Sequence, residues 1–227
     1  MDRTSRKQAP QRGQLSRQAI AEAAAGILAA EGLTGLTMRK VAGALGVEAM
    51  SLYNHVRDKR DLLDSVAGLK LSRLVTPDRA RPWPERLRTI LLSLYEILTA
   101  DPWLVMVLTT EQIEPREPAV LAAMEAAILV FEEAGLSRAQ RVSAFRGGLA
   151  LCFGLVLTHT IGLRMTPSQA EKQFALADLD QWSEAGVPHL ADLAPQFMAT
   201  RPGDDLRFML DAYVAALERQ PPRRVTA

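Results

Sequence analysis

Residues 41–63, VAGALGVEAMSLYNHVRDKRDLL, decide how the chain is read. Two short helical patterns meet at Gly46, a residue that accepts the positive φ of a tight turn. Ala42, four residues earlier, is small enough to let two helices approach closely. Val47 and Leu52 supply apolar contacts that fix the crossing, and Val41, Leu45 and Val56 extend them into a mini-core with Ile20 and Ile27 of a preceding helix. With Leu52 and Val56 inward, Ala49, Met50, Ser51, Tyr53, Asn54 and His55 face outward. The pattern is a helix-turn-helix whose second helix fits the major groove of B-DNA.

The outward residues divide by chemistry. Ser51 and Asn54 can hydrogen-bond base edges, and Asn with adenine is the apt bidentate pair. Ala49 and Met50 offer only van der Waals contact, for example to a thymine methyl. Tyr53, His55 and Lys59 suit phosphate oxygens, which position a protein without reading sequence. Thr37, Arg39 and Lys40, at the start of the preceding helix, suit phosphates too, aided by the helix dipole. Taken singly, each has a plainer role: a tyrosine ring packed on the first helix, a structural histidine, solvated lysines. Together, in this spacing, they favour DNA.

The charge distribution agrees. Residues 1–60 hold ten Lys/Arg and five Asp/Glu, whereas residues 61–227 hold 17 and 21, although the net charge is only +1. A basic head on a mildly acidic body is the footprint of a polyanion-binding module with a second task. The one cysteine, Cys152, excludes an intrachain disulfide and a cysteine-based metal site, and fits a reducing, cytoplasmic setting. Residues 1–15 form a basic arm with no apolar run directly after it, which excludes a secretory signal and predicts a disordered solvated tail, the sharper alternative being an arm that touches nucleic acid.

No strand pattern appears, and helical patterns cover most of the 227 residues, so the fold class is all-α. Helices are predicted at 16–31, 38–45, 48–55 and 58–75, then at 84–99, 102–110, 118–134, 137–164, 188–200 and 204–219. Thr37 and Asp58 are predicted caps. The Pro-rich TPDRARPWP, residues 76–84, places a boundary between a helix-turn-helix domain at 16–75 and a helical domain at 76–227.

The stretch GLTMRKVAGALGVEAMSLYNHVRDKRDLLD, residues 35–64, resembles the DNA-binding domain of the TetR family of bacterial transcriptional repressors. The resemblance lies in a Leu-Thr-x-Arg-x-Val-Ala opening, then Leu-Gly-Val, Leu-Tyr-x-His-Val and Lys-x-x-Leu-Leu. It implies a homodimer on a palindromic DNA operator, released by a small molecule held in the C-terminal domain. It implies phosphate contacts for Thr37, Arg39, Tyr53, His55 and Lys59, and base reading for Ala49, Met50, Ser51 and Asn54. The body is similar to the tetracycline-repressor type in its helix pattern. Tetracycline-binding members hold a magnesium–drug chelate through a histidine and an acidic residue. Those positions fall near Met106 and Thr158 here, so neither magnesium nor tetracycline carries over, and no cofactor is expected.

In the body, residues 147–163, GGLALCFGLVLTHTIGL, carry no formal charge. Arg146 and Arg164 bracket the run and Thr158, His159 and Thr160 interrupt it, so it reads as a buried helix and not a membrane span. One of its sides can face a twin subunit, with Gly147, Gly148, Gly154 and Gly162 allowing close approach. The last helix, with Leu206, Met209, Leu210, Tyr213, Val214 and Leu217, is expected to be the second half of a four-helix dimer bundle, the alternative being that the two helices pack only within one chain. Candidate pocket residues are Trp103, Met106, Leu108, Met124, Ile128, Phe131, Phe153, Leu157, His159 and Trp182, which favour a largely apolar effector; each can equally be plain core. Arg146 is expected to pair with Glu125 or Glu132, the alternative being contact with an acidic ligand.

Enzyme chemistry has no support: no Ser-His-Asp set or phosphate loop appears, and His55, His159 and His189 lie on separate segments. The alternative to a ligand-responsive repressor is a nonspecific nucleic-acid-binding or protein-interaction module without ligand control.

Overall fold

The computed structural model describes residues 15–111, 118–160, 186–199 and 202–220. The expected arm at 1–15 and the pocket candidate Trp182 fall outside them, apart from Leu15. Ten helices and no strand appear among the described residues. The chain divides into two compact units, Met1–Val66 and Ala67–Ala227. The division falls inside the fourth helix, upstream of the Pro-rich segment.

In the first unit, α1 (Arg17–Gly35) begins where Ser16 accepts from the Ala19 N–H. It bends at Gly32, whose φ of 69° is open to glycine, and helical turns resume to Gly35. Thr37 caps α2 (Met38–Leu45) by accepting from the Lys40 N–H. Gly46, with φ 66° and ψ 32°, ends it in a Schellman motif: the Val47 N–H reaches the Ala42 carbonyl and the Gly46 N–H the Gly43 carbonyl. Ile20, Val41, Ala42, Leu52 and Val56 are fully or almost fully buried, whereas Leu45 and Ile27 are only half-buried.

The predicted helix at 48–55 is shorter. Only α3 (Ala49–Leu52) is α-helical, with no side-chain cap at Glu48. Beyond it, Tyr53 donates to Met50 and His55 to Leu52, three residues back, which tightens the chain into turns. Asp58 then accepts from the Asp61 N–H and opens α4 (Lys59–Leu71).

In the second unit, α5 (Trp83–Ala100), α7 (Pro118–Glu133) and α8 (Arg138–Thr160) pack on one another, and α10 (Pro202–Glu218) packs on α5 and α8. The short α6 (Trp103–Thr110) packs on α5 and α8, and α9 (Pro188–Ala199) precedes α10. Leu87, Leu98, Leu104, Phe131, Cys152, Val156 and Val214 are fully or almost fully buried. Helix α8 is long and apolar enough to cross a membrane, yet Ala144, Gly148, Cys152 and Val156 turn one face of it into the bundle. Gly148 sits where a Cβ would come 3.1 Å from Leu91, and Gly147 where one would meet the Tyr213 ring at 3.4 Å. These two glycines therefore serve close packing within one chain, rather than the approach to a twin that the sequence allowed. Leu206, Leu210 and Val214 of α10 likewise turn inward.

Candidate DNA-reading face and ligand cavity

The first unit holds its polar groups in two states. One set is locked. Arg17 donates from both terminal nitrogens to the buried Asp61 carboxylate, at 2.8 and 3.2 Å, and also to the His55 carbonyl. Arg57 donates its backbone N–H to the same carboxylate at 2.8 Å. The Arg17 guanidinium holds the Asp61 carboxyl far below the usual carboxylate range, against the opposite pull of burial. This knot ties the first turn of α1 to the segment that follows α3, and so sets the pose of the exposed turns.

The other set faces water. Met50 is 73% exposed and Tyr53 46%. Asn54, Arg39 and Thr37 are exposed, and Ala49, Ser51 and His55 are half-buried. Tyr53 is therefore not consumed by packing on α1. Two expected phosphate ligands already have partners: the Lys59 ammonium donates to the Leu33 carbonyl at 3.3 Å, and Lys40 forms an ion pair with Glu31 on α1. Both lysines keep further N–H donors, since an ammonium carries three.

The second unit contains a cavity of about 300 Å³. Leu71 at the end of α4 and Leu74 just beyond it form one wall. Leu87, Ile90, Leu91 and Leu94 of α5 form another, with Leu108 of α6. From α7 come Val120, Ala123, Met124, Ala127 and Phe131, and from α8 Phe145, Gly148, Leu149 and Phe153. Of the sequence candidates, Leu108, Met124, Phe131 and Phe153 line this space; Trp103, Met106, Ile128, Leu157 and His159 do not.

The structure shows where those side chains go instead. Met106 is 40% exposed. Trp103 lies against Lys70, whose ammonium sits 5.6 Å from the ring centroid and pairs with Asp101 at 2.7 Å. His159 spends both ring nitrogens, one on the Tyr95 hydroxyl and one on Asp205, each at 3.2 Å. Ile128 and Leu157 are half-buried elsewhere in the bundle. Glu132 pairs with Arg141 and not with Arg146, which is exposed. Arg141 lies nine residues after Glu132 beyond the helix turn, a proximity that helical spacing alone does not reveal. Sequence reasoning missed Leu71, Leu74 and the α5 leucines, because a leucine facing a cavity looks like one facing a core.

Burial pushes the Cys152 thiol up to about 12, and Tyr213, which donates to the Ala144 carbonyl, is pushed up to about 12 by burial as well. Among the described residues, no three His, Cys, Asp or Glu side chains converge as a metal site.

Known proteins place this architecture. Residues 20–66 match the tetR family of bacterial regulatory proteins, and residues 76–210 match the tetracyclin repressor-like C-terminal domain. The HTH-type transcriptional repressor DrrR1 of Streptomyces coeruleorubidus is 31% identical over 177 residues, 75% of this chain; the match spans 61% of that protein. The fold matches ActR of Streptomyces coelicolor in complex with actinorhodin, with a TM-score of 0.77 at 22% identity over 92% of this chain and 100% of that one. It also matches BioQ with its double-stranded DNA operator, with a TM-score of 0.63 at 21% identity over 91% of this chain and 100% of that one. The chain belongs to the TetR family: it is a DNA-binding transcription regulator and not an enzyme.

Proposed function

We propose that this TetR-family chain is a cytoplasmic repressor that binds a palindromic operator as a homodimer and is released by a small molecule in the second-unit cavity. The observation that carries the reading is the open face of Met50, Tyr53 and Asn54, held up by side chains that are themselves paired. An exposed apolar Met beside donors of fixed pose is costly in water and useful in a groove. Thr37, Arg39, Lys40, Tyr53, His55 and Lys59 position the phosphates; Ala49, Met50, Ser51 and Asn54 read the bases.

The dimer face is argued from the outward sides of α8 and α10. Val142, Arg146, Ala150 and Gly154 recur every four residues on α8, all exposed. On α10, Phe208 is 72% exposed and Met209 and Ala212 lie beside it. Apart from Arg146 these groups are apolar, and apolar groups this exposed on two packed helices favour a second copy over solvent. This also accounts for α8 without a membrane. Release follows from α4, because Leu71 lines the cavity on the same helix whose first turn carries Asp61. A ligand that moves Leu71 biases that helix, and such coupling typically amounts to about 1–3 kcal/mol. The relatives support both halves: BioQ is known with its DNA operator and ActR with actinorhodin.

Selection of bound fragments from random genomic DNA tests the reading. Enriched fragments should share an inverted repeat whose half-sites lie about 34–36 Å apart, or a multiple. Enrichment without a shared repeat would favour the nonspecific module instead.

A further inference from the structure

The cavity lining has a feature that narrows what can enter. Among the described residues, none of its side chains is charged, and none carries a hydroxyl, amide or imidazole. Several charged groups of the surrounding helices are committed elsewhere. Arg86, buried on α5, pairs with Glu133; Arg141 pairs with Glu132; Lys70 pairs with Asp101; His159 bonds Tyr95 and Asp205. An ion entering this space would lose hydration and find no counter-charge or polar group among the described lining side chains.

The shape of the lining adds a second constraint. Phe145 and Phe153 lie eight residues apart on α8, two turns along one face, and Phe131 and Met124 come from α7. Aromatic rings and a thioether favour ring partners beyond simple burial. Ala123 and Ala127 of α7 add little side chain to the space.

We propose that the cavity selects uncharged molecules built of aromatic rings and rejects their anionic analogues. The inference rests on the effector reading above and specifies the ligand class of that same site. Two probes with one ring skeleton test it on the full chain: neutral N-phenylnaphthylamine, and anilinonaphthalene sulfonate, which adds one anionic group. The neutral probe should bind saturably by fluorescence, and the sulfonate should displace it only at concentrations at least about 30-fold higher. Ala127→Leu, which fills the space, should abolish the neutral signal, and Met124→Lys should narrow or reverse the preference for the neutral probe. If the neutral probe fails to saturate, or keeps its affinity in Ala127→Leu, the cavity is not a ligand site and the effector reading falls with the inference. If both probes bind wild type equally and both are lost in Ala127→Leu, the site stands and only the charge selection is overturned. Should either variant fold poorly, the displacement ratio on wild type alone decides the charge selection.

Discussion

The first unit spends buried polar chemistry on a knot, Arg17 with Asp61 and Arg57, and leaves its outer face of Met50, Tyr53 and Asn54 exposed. The second unit pairs its charges around the bundle and keeps a hollow with no charged side chain among the described lining residues. Both units fix polar groups to free a surface, but the freed surfaces are opposites. One offers donors and acceptors to a polyanion; the other offers dispersion contacts to something without charge. Two binding tasks in one chain thus require the same step, the pairing of local charges, with different remainders.

The contrast can be broken from either side. The largest effect should follow Phe208→Glu. A carboxylate on the exposed apolar face should convert a two-chain species to one chain in light scattering, and weaken operator binding by about a hundredfold or more as two linked half-sites become one. A variant that remains dimeric removes this face from the assembly. Asp61→Asn should come next, costing about 2–3 kcal/mol in denaturant unfolding at pH 7. Because pairing lowers the folded pKa, the stability it provides is present in full above the ordinary carboxylate value of about 4 and is lost as pH falls through the depressed folded value. The gap between wild type and variant should therefore narrow below about pH 4; a constant gap would mean that the carboxylate is not the source. The smallest effects sharpen the reading face itself. Asn54→Ala should cost about 1–3 kcal/mol at one base position and relax preference there, whereas Lys59→Ala should weaken all sequences alike and flatten the salt slope by about one. Reversal of those two patterns would exchange the roles of the residues.

Local chemistry made the head legible. Thr37 and Asp58 cap because their side chains reach a nearby N–H, and Gly46 ends α2 because only its backbone settles readily at φ 66°. The end of α3 was not legible, since Tyr53, Asn54 and His55 continue a helical pattern as readily as they leave it. In the body, helix positions followed from apolar spacing and flanking prolines, but the cavity did not. Met124 and Phe131 line it while Ile128, between them on α7, does not, and no propensity separates these three. His159 and Trp103 attract attention for their chemistry, yet His159 bonds Tyr95 and Asp205 and the Trp103 ring meets the Lys70 ammonium, all from distant parts of the chain. Pairings across such separations become visible only once the helices are packed.

Cys152 lies fully buried on α8, donating to the Leu91 carbonyl at 3.5 Å, with cavity residues on both helices beside it. A thiol so placed reacts with a disulfide reagent only in moments when the bundle parts. The chain therefore contains its own stopwatch. The pace of labelling at one atom counts the openings of the chamber, and an occupant that holds the walls together slows the count without any dye or tag.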